Sequence, residues 1–404
     1  MLKFTSRRFS FLPSNIAIVA AKRTPIGSFM GSLKDYSALQ LSVGAIKSSL
    51  AQSHLLPEQI TEVILGQSLT IGSGQSLSRQ SALYSGLLPS TVCSNINKQC
   101  ASGLKAITLA CQSVSITALS IIVAGGVESM SQLPFILPNN RWSNLIGDGN
   151  LYDSLMKDYF TCPFYNITLG KCVEEAALRY NISRQEQDAY SKESYERTEK
   201  AWTRGFYRQE VEQFEIYSKI VDKKFVREDE EFRKMQTEKI GSLKPLYDKN
   251  GTITAGNSAA FSDGAAVVIV MDESVAKNFG IEPLARVLGF ADTETDPLYY
   301  AEATNDAINL ALKRAGVKIE NVDLFEINED FSANVLSSLK ILRLDHSKVN
   351  VNGGAIALGH PAGMTGARIV GTLIYSLKEK NKNLGVAAIP NAGGGASAIV
   401  IEVD

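Results

Sequence analysis

Short apolar runs that end at or near glycine alternate with stretches of helical periodicity along most of the chain. Ile16 to Ala21, Glu62 to Gly66, Ile121 to Ala124 and Ala265 to Met271 read as strands of a first half. Arg286 to Phe290, Asp323 to Glu326, Leu384 to Ile389 and Ala398 to Val403 read as strands of a second. Their near-continuous hydrophobicity is that of strands covered on both faces, which points to an α/β fold with a buried sheet. Between them, Ala301 to Ala315 sets Ala301, Ile308, Leu312 and Ala315 on one helical stripe. Two similar sets of elements predict an internal duplication, with one half over residues 15–130 and 251–283 and the other over 284–404.

From about Ser131 to Asn250 the texture changes. Aromatics, charges and broken periodicity replace the glycine-punctuated strands, with a mixed-charge run from Asp222 to Lys234. Long irregular insertions in compact domains are usually functional, so residues 131–250 read as a loop subdomain lying lid-like over a site. The longest apolar runs, such as Ser120 to Val127, have strand length and fall far short of the roughly 20 residues a membrane span requires. The chain is therefore not expected to cross a bilayer.

Composition narrows the partners more than it names them. At 404 residues the chain can hold two or three domains with large cores. With 21% charged residues and a formal net charge of -1, nothing favours a nucleic-acid partner. The five cysteines, Cys93, Cys100, Cys111, Cys162 and Cys172, are odd in number and form no CxxC pair. Neither a disulfide framework nor a metal site is favoured, and a reducing compartment fits. The first twelve residues mix basic, hydroxyl and apolar side chains, and the first acidic residue is Asp35. This is the composition of a mitochondrial presequence, assigned to residues 1–14.

Two short motifs carry chemistry. In Asn97-Lys98-Gln99-Cys100-Ala101-Ser102-Gly103 a cysteine precedes the helical pattern of Ala101, Leu104, Ile107 and Cys111. A thiol at a helix N-terminus feels the positive end of the peptide dipoles, which favours its thiolate, so Cys100 is the candidate nucleophile. In Gly353-Gly354-Ala355-Ile356-Ala357-Leu358-Gly359-His360-Pro361 a histidine sits in a glycine-rich loop ahead of the helical run Thr365 to Ser376. A histidine is the usual base for drawing a proton from a thiol, and the other two, His54 and His346, lie in polar surroundings that read as solvated. His360 is the candidate base.

With Val123-Ala124-Gly125-Gly126-Val127-Glu128, Glu326-Ile327-Asn328-Glu329-Asp330-Phe331 and the C-terminal Ile389-Pro390-Asn391-Ala392-Gly393-Gly394-Gly395, these motifs make the chain resemble the thiolases. The resemblance runs from Ala21-Lys22-Arg23-Thr24-Pro25 to the C-terminus. It implies two duplicated βαβαβαββ halves in a five-layer α-β-α-β-α arrangement with an inserted loop subdomain. It also implies coenzyme A thioesters as substrates, no tightly bound cofactor, no metal, and a homodimer or homotetramer. In the family mechanism the nucleophile, here Cys100, takes an acyl group from acyl-CoA with help from the histidine, here His360. A second cysteine then removes the methyl proton of acetyl-CoA. One oxyanion site uses the histidine and a water held by the asparagine that matches Asn328. The other uses backbone amides of the nucleophile and of a glycine in the last motif.

Four positions depart from the family pattern and converge on one pocket. The acid/base cysteine is Pro390, and the oxyanion glycine is Ala392, whose Cβ restricts positive φ. The histidine-methionine-glycine of the acetyl pocket is Thr168-Leu169-Gly170, and the serine contacting the pantetheine arm falls at Ala259, beside Ser258. Phe331 completes the expected substrate-binding set of Thr168, Leu169, Ser258 and Ala259. Cys111 lies eleven residues beyond Cys100, roughly 16 Å along a helix, too far to replace the lost base. The expected function is a thiolase-like acyl-CoA C-acetyltransferase impaired by that loss, located in the mitochondrial matrix. Two alternatives stand beside it: an inactive thiolase-derived structural subunit of a larger mitochondrial assembly, and partial Cys-His acyl transfer or thioester hydrolysis.

Overall fold

Ten strands join in one mixed sheet, built largely from the apolar runs described above. The computed structural model describes residues 15–404 except 118, 143–145, 147 and 217–223. The presequence-like segment 1–14 lies outside the described residues. The first half runs β1 (Ile16–Arg23), α1 (Ala38–Ser53), β2 (Glu62–Gly66), α2 (Leu77–Tyr84), β3 (Val92–Ile96), α3 (Ser102–Ile116) and β4 (Ile121–Ser129). Helices α4 (Leu169–Arg179) and α5 (Arg184–Thr203) follow, then β5 (Ser262–Asp272). The second half runs β6 (Ala285–Glu294), α6 (Tyr300–Ala315), β7 (Leu324–Ile327), α7 (Ser332–Leu342), α8 (Ala362–Lys380), β8 (Leu384–Asn391) and β9 (Gly395–Glu402).

The strand order is β7-β8-β9-β6-β1-β5-β4-β2-β3, with the short strand Gly27–Ser28 added against β5. Among the described residues the two half-sheets pair through Ala17↔Arg286 and Ile18↔Ala285. That narrow join lets them fold over one another. Helices α3 and α8 pack together between them, with α8 against β4 and β5 on one side and β7 and β8 on the other. Helices α1 and α2 cover the outer face of the first half-sheet, and α6 covers that of the second with α7 beside it. The result is five layers, α-β-α-β-α.

The strands read as continuous apolar runs because both faces are covered. In β5, Ala266, Val268 and Val270 enter one core, while Ala265, Val267, Ile269 and Met271 enter the other. This is the period-two alternation of a strand with two dry faces. Helix α8 is buried from Ala362 to Leu377, and most of that stretch is small or apolar, with Arg368 buried near Glu326. It approaches α3 through small residues. A Cβ on Gly103 would stand 2.7 Å from the Gly363 carbonyl oxygen, and one on Gly366 2.4 Å from the Leu104 amide nitrogen. The crossing is therefore a backbone-to-backbone contact.

The sequence reading missed β3, an edge strand whose side chains are all exposed or half-buried, because Val-Cys-Ser-Asn-Ile carries no apolar face. It also missed α5. That helix buries Gln187, Asp188, Ser191, Ser194 and Thr198 along with Tyr190, Tyr195 and Trp202, so its inward face is polar and shows no hydrophobic stripe.

Candidate active site

Cys100 sits in the turn between β3 and α3, just ahead of the helix start. Gln99 before it adopts φ 49, the left-handed region that a non-glycine residue enters only when its surroundings compel it. Asn97 Oδ1 accepts from the Gln99 amide at 3.0 Å, and Ser102 Oγ accepts from the Lys98 amide at 2.9 Å, which holds the turn. The thiol is 4% exposed, with Sγ 3.3 Å from the Tyr159 hydroxyl. Burial pushes its pKa up to about 12, while the Tyr159 hydroxyl and the amides of Ala392 and Cys100 itself favour the thiolate. In the resting site Cys100 is a thiol.

His360 arrives from the second half, in the loop leading into α8. Gly359 precedes it at φ 100, and a Cβ there would stand 2.3 Å from Ser262 Oγ, so only glycine lets this loop lie against β5. The His360 amide donates to the Ala260 carbonyl at 3.0 Å. Its Nδ1 lies 2.7 Å from Thr365 Oγ1, and that hydroxyl donates its single proton to the Pro361 carbonyl at 2.9 Å. Thr365 can therefore only accept from Nδ1, which places the ring proton there and leaves Nε2 as the basic nitrogen. Nε2 is buried and has no protein partner. Burial, and then the nearby Arg368 charge, lower the imidazole pKa to about 3.

The two residues share one small cavity of about 20 Å³. It is lined by Cys100, Tyr159, Phe160, Leu169, Ala259, Ala260, Phe261, Tyr300, Asp330, Phe331, His360 and Ala392. That volume suits about one water molecule. A cleft of about 810 Å³ adjoins it, lined by Gln99, Tyr152, Lys157, Phe164, Asn166, Gly393 and others, and Tyr159 and Ala392 belong to both. Tyr159, carried on the turn Met156–Phe160, thus stands between the cleft and the thiol.

The other sequence candidates divide between this wall and its surroundings. Leu169, Ala259, Phe331 and Ala392 line the cavity. Positive φ in the last motif falls on Gly393 and Gly394, at 93 and 96, so Ala392 lies outside the strained region while its amide serves the Cys100 sulfur. Thr168 is the N-cap position of α4, with its buried hydroxyl unpartnered. Ser258 is committed elsewhere, donating to the Thr254 carbonyl at 2.7 Å. Pro390 pairs with Ala396 in the β8–β9 ladder and is absent from the cavity wall. Asn328 is 1% exposed, and both atoms of its amide lack a protein partner. Of the other histidines, His54 caps α1 and is exposed, whereas His346 is half-buried and stacks on Tyr190 at 5.2 Å rather than being solvated. Among the described residues no group of three or more His, Cys, Asp or Glu side chains is arranged to hold a metal ion.

Six residues of the wall, Tyr159, Phe160, Ala260, Phe261, Tyr300 and Asp330, escaped the sequence reading. Tyr159 had no signal, because only the fold of the inserted segment brings it to Cys100. Asp330 had one: a carboxylate between Glu329 and Phe331 in a motif already tied to the site. Its Oδ2 accepts from the Tyr300 hydroxyl at 3.1 Å and from Asn334 Nδ2 at 2.9 Å. Its Oδ1 is buried without a partner. Burial raises its pKa to about 6 against the pull of the Asn334 and Tyr300 hydrogen bonds and of the amides of Asp330 and Phe331.

Comparison with known proteins agrees with the layered fold. Residues 16–274 match the family description "Thiolase, N-terminal domain", and residues 281–403 match "Thiolase, C-terminal domain". A probable acetyl-CoA acetyltransferase of Dictyostelium discoideum is 42% identical over 388 residues, covering 96% of this chain and 94% of that protein. The mitochondrial acetyl-CoA acetyltransferase of Homo sapiens is 41% identical over 404 residues, covering 99% and 94%. Among solved structures, the Bacillus anthracis acetyl-CoA acetyltransferase superposes with a TM-score of 0.94 at 34% identity, covering 97% of this chain and 99% of that one. Human mitochondrial 3-ketoacyl-CoA thiolase in complex with CoA superposes at 0.92 and 34% identity, covering 97% and 98%.

Proposed function

Because this chain belongs to the thiolase family, we propose that it is an acyl-CoA C-acetyltransferase working between acetyl-CoA and acetoacetyl-CoA in mitochondria. The observation that carries the reading is the unpartnered Nε2 of His360 on the wall of the cavity that holds Cys100. The halves of the duplication, 15–130 with 251–283 and 284–404, each supply one of these residues, and the inserted 131–250 supplies Tyr159 over them. The presequence-like residues 1–14 direct the chain to the matrix, where it works as a homodimer or homotetramer.

In the first step Cys100 Sγ attacks the thioester carbonyl of acetyl-CoA as His360 Nε2 takes the thiol proton. The sulfur–carbon bond to coenzyme A breaks, the proton passes to the leaving thiolate, and an acetyl group remains on Cys100. Thr365 holds Nδ1–H throughout, so the ring presents the same nitrogen in both transfers. Negative charge on the carbonyl oxygen is met by oriented donors, the amides of Cys100 and Ala392 among them, with the free amide of Asn328 available to a bridging water. Acetyl-CoA itself supplies the second substrate.

A second reading, an inactive structural subunit, is favoured by one observation. The cavity holds about 20 Å³ behind Tyr159, and its thiol is protonated in the resting state. Intact-mass measurement after incubation with acetyl-CoA separates the two. Acetyl transfer gives an adduct on the native chain that is missing from Cys100→Ala, and CoA-dependent loss of acetoacetyl-CoA accompanies it. A native chain with no adduct would leave the structural reading standing. An adduct that forms and hydrolyses without carbon–carbon chemistry would favour partial acyl transfer.

A further inference from the structure

Taking acyl transfer to Cys100 as its premise, we propose that Asp330 is the general base that removes the methyl proton of the incoming acetyl-CoA, the task the family pattern gives to the position of Pro390. Asp330 lines the same cavity as Cys100 and His360, so a substrate bound against the acetylated sulfur meets its carboxylate. The carboxylate is held by one oxygen and bare at the other. Oδ2 accepts from Tyr300 and Asn334, whereas Oδ1 is buried with no partner. A buried carboxylate oxygen left unpaired costs stability, and such groups in native proteins call for an explanation. A positioned base explains this one, because its free lone pair is what the reaction uses.

The backbone holds the segment in place. The Asp330 carbonyl accepts from the Ala259 amide at 2.9 Å, and the Ser332 amide donates to the Asn257 carbonyl at 3.0 Å, so the segment is stitched to the opposite wall on both sides of the residue. The titratable groups around it are Cys100, Tyr159, Tyr300 and His360. His360 serves Cys100. The phenols of Tyr159 and Tyr300 are raised well above the usual range, so both act as donors and not as bases. Burial holds Cys172 near 11 and Cys111 near 12, and neither lines the cavity. Asp330 is the group left that is ionised at neutral pH, and burial has moved its pKa to about 6, toward the range where a general base works best.

The step balances without a further reactant. Asp330 Oδ1 takes a proton from the methyl carbon, and the C–H electron pair becomes an enolate. The enolate carbon bonds to the carbonyl carbon of acetyl-Cys100, and the carbon–sulfur bond to Cys100 breaks. The Asp330 proton then passes to the sulfur, which restores carboxylate and thiol. Thiolysis runs the same sequence backward.

The test follows two readouts in one sample: acetylation of Cys100 by intact mass, and exchange of the acetyl-CoA methyl protons with deuterium from D2O. Asp330→Asn is expected to keep acetylation and to lose exchange and condensation by roughly 10² to 10⁴-fold, the worth of a positioned base. Asp330→Glu should recover part of the exchange. In the native protein exchange should fall as pH drops through about 6. Exchange undiminished in Asp330→Asn overturns the assignment. Loss of acetylation together with exchange in that variant also overturns it, because the role would then be structural. If the native chain neither acetylates nor exchanges, the premise of acyl transfer fails and takes this assignment with it.

Discussion

Burial pushes the three proposed reacting side chains toward their neutral forms. Cys100 lies near 12, His360 near 3 and Asp330 near 6, against ordinary values of 9.0, 6.5 and 3.8. Proton transfer from thiol to imidazole is therefore unfavourable in the empty site and proceeds only as charge appears on a substrate oxygen facing fixed donors. The same burial makes a stability prediction. A carboxyl whose pKa is higher folded than unfolded binds more protons in the native state, so its contribution is full below about 3.8 and is lost as pH rises through about 6. Replacing Asp330 by Asn keeps an oxygen for Tyr300 and Asn334 and removes the charge. Thermal unfolding should show the variant more stable than the native chain at pH 8, by roughly 3 kcal/mol at most, with the difference vanishing near pH 4. An equal difference at both pH values would point to packing instead. Glu128, near 7, carries the same sign, so the native protein itself should lose stability between about pH 4.5 and 7. At this scale Cys100 and His360 were legible because a cysteine before a helix and a histidine among glycines are local patterns. The spare lone pair of Asp330 was not, because it depends on what Tyr300 and Asn334 leave free.

Among the elements, the α3–α8 crossing does most to bring the site together, since α3 carries Cys100 at its start and α8 follows directly on His360. Glu128 at the end of β4 reinforces it by accepting from the Gly363 amide at 3.0 Å and from the Ser68 amide at 2.9 Å. A methyl group at Gly103 would meet the Gly363 carbonyl at 2.7 Å, and the Ala367 amide nitrogen at 2.9 Å, with backbone on both sides and no side chain able to yield. Gly103→Ala is expected to destabilise by about 1–3 kcal/mol, the range for overpacking, and to reduce Cys100 acetylation beyond what that loss explains. Urea unfolding and intact mass on one preparation would check both, and unchanged acetylation in the folded variant would refute the coupling. The strands were readable because dry faces demand unbroken apolar sequence. Helix α5 was hidden because its inward face sets buried Ser, Thr, Gln and Asp among its aromatics.

At the scale of the whole molecule, a buried charge cluster fastens the inserted segment to the layered body. Arg23, at the end of β1, meets Glu210 at 2.6 Å and Asp229 at 2.6 Å, with both partners contributed by the segment 131–250. Asp229 also accepts from the Ile26 amide and the Trp202 indole, and Glu210 from the Thr372 hydroxyl on α8. Removing the cation would strand two buried carboxylates, so Arg23→Met should cost about 3–5 kcal/mol in chemical denaturation. A variant as stable as the native chain would show that the cluster contributes little. The sequence by itself determined the α/β class, because period-two burial and helix periodicity are near-neighbour physics, and it put forward the duplication, Cys100 and His360 as candidates, with the five layers implied by the family resemblance. Only the tertiary structure decided that Tyr159 lies on the thiol, that Ser258 turns away, and that Asp330 keeps one carboxylate oxygen without a partner on a cavity wall from which Pro390 is absent. The contacts of Tyr159 with Cys100 and of Tyr300 with Asp330 join residues 59 and 30 positions apart, and hydrogen-bond partners at such separations leave no periodic trace in the chain.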